Sequence, residues 1–112
     1  MRPRLLLISC LLAGCASPLT EARSCFDEAR YPDAVTQYAR LSREVPELST
    51  EELFEYSLYR GLSHLALGDS APAERWLTVA KRLMDATPSS VPLVERNRLL
   101  AARRAMGHAP GD

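Results

Sequence analysis

Beyond Asp69 and Ser70 a stripe of apolar residues falls at Ala73, Trp76, Leu77, Ala80, Leu83 and Met84, offsets of 0, 3, 4, 7, 10 and 11. That spacing is one face of an α-helix turning every 3.6 residues, and it commits the chain to helix-on-helix packing. The same period recurs upstream. Leu19, Ala22, Phe26 and Ala29 mark a first helix over about 18–29, with Ser17 as N-cap and Pro18 at the position where its missing N–H costs nothing. Ala34, Val35, Tyr38, Leu41 and Val45 mark a second, opening at Pro32 and ending before Pro46.

The third helix has the clearest start. Ser49-Thr50-Glu51-Glu52 reads as a capping box, in which the Ser49 hydroxyl takes the Glu52 amide and the Glu52 carboxylate reaches back. It runs to about Leu67, where Gly68 suits a left-handed turn. Asp69 or Ser70 caps the fourth helix, and Thr87-Pro88-Ser89-Ser90 interrupts the pattern. A fifth spans about 91–106, ended by Gly107, with a loose tail over 107–112. No alternating, strand-like segment competes. The short connections predict antiparallel neighbours in an all-α domain.

The chain begins differently. Met1-Arg2-Pro3-Arg4 is basic, Leu5–Leu12 is apolar, and Ala13-Gly14-Cys15 ends the stretch in small residues. This is the order of parts in a secretory signal. A membrane span needs roughly 20 apolar residues, about twice the run present here. Leu12-Ala13-Gly14-Cys15 resembles the lipobox of bacterial lipoproteins. The resemblance implies removal of residues 1–14, thioether attachment of diacylglycerol to Cys15 and acylation of the new amine. Two or more acyl chains anchor stably where one does not. Ala16, in place of an aspartate, favours sorting to the periplasmic face of the outer membrane. Residues 15–17 form the lipidated start and its tether. At roughly 3.3 to 3.6 Å per residue, Ala16 and Ser17 hold the first helix within about 10 Å of the lipid.

Processing leaves 98 residues, with 12 basic against 14 acidic, a net of −2. Such a chain forms one small domain that buries roughly 60 to 70% of its unfolded surface. It has no basic excess to draw nucleic acid. Of three cysteines, Cys10 leaves with the signal and Cys15 takes the lipid, so Cys25 has no internal disulfide partner. Beside Phe26 on a helical pattern, Cys25 reads as a small core hydrophobe.

Ala34-Val35-x-x-Tyr38-x-x-Leu41 before Pro46 resembles the second helix of a tetratricopeptide repeat. Gly61-Leu62-x-x-Leu65-x-x-Gly68-Asp69, followed by Ala73, Leu77 and Ala80, resembles almost a whole repeat. Gly61 and Ala73 are small where paired helices cross. Ala34 and Ala73 stand 39 apart against a repeat length of 34, and the extra residues fall around 47–51, between the repeats. The resemblance implies antiparallel helical hairpins of tetratricopeptide type over 18–106: about two repeats, with the fifth helix as a cap.

No catalytic constellation is present, and the chain does not read as an enzyme. His64 and His108 lie far apart, without ligand-spaced cysteine, histidine or carboxylate, and no phosphate loop or nucleophile motif occurs. No cofactor, metal or small-molecule substrate is implied. In similar repeats the first helix of each pair lines a concave surface, which carries partner binding onto Arg23, Phe26, Asp27, Leu58, Leu62 and Leu65. The competing role for the leucines is core beneath helix five. Arg96, Arg98, Arg103 and Arg104 form a second candidate, a basic face for anionic headgroups or an acidic partner. The expectation is a membrane-anchored, non-catalytic adaptor for a protein of the bacterial envelope. A permanent subunit of a secretion or pilus-type machine is the alternative, and a cell-wall-binding protein or enzyme comes third.

Overall fold

Side-chain caps start two of the helices in this chain, at Ser17 and Ser49. The computed structural model describes residues 17–112; the signal segment and Cys15 lie outside them. The described residues form an all-α domain of five helices: α1 (Pro18–Asp27), α2 (Tyr31–Arg40), α3 (Thr50–Ala66), α4 (Ser70–Ala86) and α5 (Leu93–Ala105). Ser17 caps α1 by accepting from the Thr20 amide at 3.1 Å. At α3 the capping box is complete, with the Glu52 amide 3.1 Å from Ser49 Oγ and the Ser49 amide 2.9 Å from Glu52 Oε1. Each such cap meets amides that have no partner within the helix.

One expectation at a helix end is corrected. The second α-helix stops at Arg40, and the chain tightens into a 3₁₀ segment over Leu41–Glu47 that carries Pro46 within it. An α-helical Pro46 would press its ring on the carbonyl four residues back, and the tighter winding avoids that clash. The tail after Gly107 makes contacts with α4 and α5. His108 Nε2 lies 2.8 Å from Glu74 Oε1 on α4, Ala109 N–H donates to the Asp112 carboxylate, and Arg103 donates to the Asp112 carbonyl.

One turn recurs at the ends of α1, α3 and α5. At the first, the amides of Ala29 and Arg30 bond to Phe26 and Cys25 carbonyls at 2.9 and 2.8 Å. Gly68 and Asp69 bond to Leu65 and His64 in the same way, and Gly107 and His108 to Arg104 and Arg103. All three are Schellman turns, with Ala29, Gly68 and Gly107 at φ of 60°, 79° and 97°. Their sequence interval is 39 residues each time, the interval between Ala34 and Ala73. The helix C3 residues Cys25, His64 and Arg103 occupy the same place in each turn, and all three are buried. Helix α5 therefore ends as α1 and α3 do.

Consecutive helices pack in adjacent pairs, and α1 and α5 both touch α3 as well. That makes α3 the centre of the domain. Tyr56, Ser57, Leu58 and Tyr59 on it are fully buried. Tyr56 faces the even-numbered helices: its hydroxyl donates to the Tyr38 carbonyl at 3.0 Å, and its ring meets Tyr38 and Trp76 edge-on. Helices α3 and α4 cross closely, so that a Cβ built on Gly61 would stand 2.7 Å from Leu77 Cγ. The buried residues of α4 include Ala73, Leu77, Ala80 and Met84, the stripe visible in the sequence. Among the described residues no helix is long and apolar enough to cross a membrane.

Candidate functional site

Tyr59 stands one helical turn from Tyr56, but its ring and hydroxyl meet the odd-numbered helices. Its hydroxyl donates to Glu95 Oε2 of α5 at 2.7 Å and accepts from Arg98 at 2.9 Å. From α1, the Arg23 guanidinium stacks 3.9 Å from the Tyr59 ring centre, and Phe26 meets the ring edge-on at 4.9 Å. Arg23 also bonds to Asp27 at 3.1 Å and approaches Glu95 at 3.9 Å. Arg98 lies over both Phe26 and Tyr59, at 5.9 and 5.6 Å. One aromatic–ionic cluster thus joins α1, α3 and α5 on a single face.

Its electrostatics follow from burial. Loss of water and the bond to Glu95 push the Tyr59 phenol up to about 12, so it is a donor at neutral pH and no base. Burial also lifts the Glu55 carboxyl above the ordinary range; Glu95, Glu52 and Asp27 add repulsion against the pull of Arg23.

Beside this cluster a groove of about 240 Å³ opens between the start of α3 and the start of α5. Its floor is Phe54, Val91 and Pro92, and Glu51, Glu55 and Glu95 stand around it.

The cluster gathers four of the residues singled out in the sequence: Arg23, Phe26 and Asp27, joined by Arg98 from the separate basic group. The others are placed elsewhere. Leu58 is fully buried, and Leu62 and Leu65 pack half-buried against the core. Arg96 donates to the Pro88 carbonyl, Arg103 is buried beneath the tail, and Arg104 is exposed. The four arginines of α5 therefore occupy different settings, and Leu58 offers no surface to a partner. Sequence reasoning passed over Tyr59, Glu55 and Glu95. The helical spacing of Phe54, Leu58 and Leu62 marks one face, but only the crossing of α5 brings Glu95 to Tyr59.

Chemically, the face can hold charge and stack. Among the described residues no group of three histidine, cysteine, aspartate or glutamate side chains could hold a metal ion. His64 is buried with neither ring nitrogen hydrogen-bonded, Asp69 lying 3.6 Å from Nδ1. Cys25 is a buried free thiol. Comparison with protein-family models, curated proteins and solved structures gives no match.

Proposed function

We propose that this chain is a lipid-anchored adaptor of the bacterial envelope, built from tetratricopeptide-type hairpins and using the face of α1, α3 and α5 to hold a protein partner. The observation that carries the reading is the face of Arg23, Phe26, Glu95 and Arg98, gathered around the buried Tyr59 across all three odd-numbered helices beside an open groove. Aromatic and arginine side chains of this kind are the ones that concentrate binding energy at protein interfaces. The turn repeated at 29, 68 and 107 supports the repeat reading, with α5 as the first helix of a third unit. The lipobox-like Leu12-Ala13-Gly14-Cys15 supplies the anchor, placed at the outer membrane by Ala16. Pro18, the first residue of α1, follows Cys15 by three positions, which sets the domain against the bilayer.

One observation favours the second reading, a permanent subunit of a larger envelope machine such as a secretion or pilus-type assembly. Leu93 and Val94, in the first turn of α5, are 69% and 59% exposed, an apolar corner suited to permanent burial. The test is an affinity pull-down from detergent-solubilised membranes, native chain beside Cys15→Ser, with intact masses measured. A lipid mass on the native chain alone, with an envelope protein recovered specifically, supports the adaptor. An unlipidated native chain overturns the anchor. A partner that resists removal by salt and detergent, without which the chain unfolds, identifies the permanent subunit.

A further inference from the structure

Three carboxylates, and no basic side chain, line the groove between the starts of α3 and α5. Glu51 and Glu95 lie in the first turns of their helices, where negative charge complements the helix dipole. Glu55 sits a turn deeper and has no such role. Neither Glu51 nor Glu55 has a cation within ion-pair distance among the described residues, whereas Glu95 already accepts from Tyr59 and lies near Arg23. Covering the groove with a neutral apolar group would bury Glu51 and Glu55 with no cation in ion-pair contact, and covering it with an anion would add repulsion. Its volume, about 240 Å³, falls below the roughly 300 to 1,000 Å³ of small-molecule pockets.

We infer that the groove receives one lysine or arginine side chain of the partner, flanked in the partner's sequence by apolar residues; this deepens, and rests on, the adaptor reading. The aliphatic stem lies along Phe54, Val91 and Pro92, as long cationic side chains do on apolar surface. The cationic head reaches Glu51 and Glu55, with Glu95 behind them. Leu93 and Val94, exposed just past Pro92, receive the apolar neighbours. The partner is thus a basic–apolar segment, chosen by charge complementarity at one pocket.

The test uses the full chain, purified in a neutral detergent, and fluorescent pentapeptides with a central residue between leucines. The centre is arginine, its neutral isostere citrulline, or glutamate, and binding is read by anisotropy. The arginine peptide is expected to bind at least about tenfold tighter than the citrulline peptide. That advantage should vanish in a Glu51→Gln/Glu55→Gln variant that keeps the native circular dichroism spectrum and a cooperative melt. Equal binding of arginine and citrulline peptides, preference for glutamate, no binding of any peptide, or an advantage that survives in the variant overturns the inference. The pull-down separates the two readings. A partner recovered equally by the native chain and by the glutamine variant leaves the adaptor standing and removes the cationic pocket. A lipidated native chain that recovers no partner removes the adaptor itself.

Discussion

Replacing Gly61 by alanine sets two opposing effects against each other, and the structure decides between them. Gly61 lies inside α3, where alanine is favoured over glycine by about 1 kcal/mol. On propensity alone Gly61→Ala stabilises. The added Cβ, however, would sit 2.7 Å from both Cγ and Cδ2 of Leu77 and 3.1 Å from its backbone nitrogen. Leu77 is fully buried, so its side chain has no free volume to enter, and the nitrogen moves only with α4. Relief requires the helices to part. Overpacking of this kind costs about 1–3 kcal/mol, and with contact to a backbone atom the upper end applies. The net expectation is destabilisation by about 1–2 kcal/mol, a fall in Tm of about 4 to 16 °C for a domain of this size. The assay is urea and thermal unfolding by circular dichroism in a Cys15→Ser background. A double variant with Leu77→Ala isolates the cause. Leu77→Ala alone costs about 2–5 kcal/mol, but in its presence Gly61→Ala should become neutral or stabilising, a coupling of about 1–3 kcal/mol. The reasoning is refuted if Gly61→Ala alone raises stability, or if its penalty is the same with and without Leu77.

Ala29 holds a φ of 60° in a turn where the two equivalent positions are glycine. A left-handed L-residue costs about 1–2 kcal/mol, and glycine's greater freedom when unfolded returns part of that. Ala29→Gly should therefore stabilise by about 0.5–1 kcal/mol, read as a higher urea midpoint. The Glu55 carboxyl is raised in the folded state, so its protonated form favours folding: that contribution is full below the unfolded pKa and is lost as pH rises through the folded one. Glu55→Gln should stabilise at pH 7 by a few tenths of a kcal/mol, the effect being limited by solvent screening, and the gain should shrink toward about pH 4. Glu74 shifts the other way, held below the ordinary range by its bond to His108. Its contribution is present above the unfolded pKa and lost as pH falls through the folded value. Because the pair is partly open to solvent, His108→Ala should cost under about 1 kcal/mol, while hydrogen exchange at the His108 amide accelerates.

Local order was written plainly in the sequence. Helix starts follow from side chains that meet unpartnered amides, as at Ser17 and Ser49, and Gly68 and Gly107 mark turns that need a left-handed residue. The stripe from Ala73 to Met84 and the small residues Gly61 and Ala73 announced which helix faces meet. These features rest on neighbours three or four positions apart, which is the range a pattern of residues can express. The turn at Ala29 carried no such sign, because alanine has no preference for positive φ; hairpin packing holds it there. Nor did Val45 reveal that its segment winds as 3₁₀, since apolar spacing over one turn serves both windings. What only the tertiary structure decided is the meeting of distant side chains. Leu58 and Tyr59 are adjacent and both fully buried, yet one packs into the apolar core and the other becomes the hub that binds Glu95 and Arg98. Helical period assigns each residue an angle on its own helix, but burial and partnership depend on how the next helix crosses it. For α3, covered by four helices at once, that crossing fixed the site.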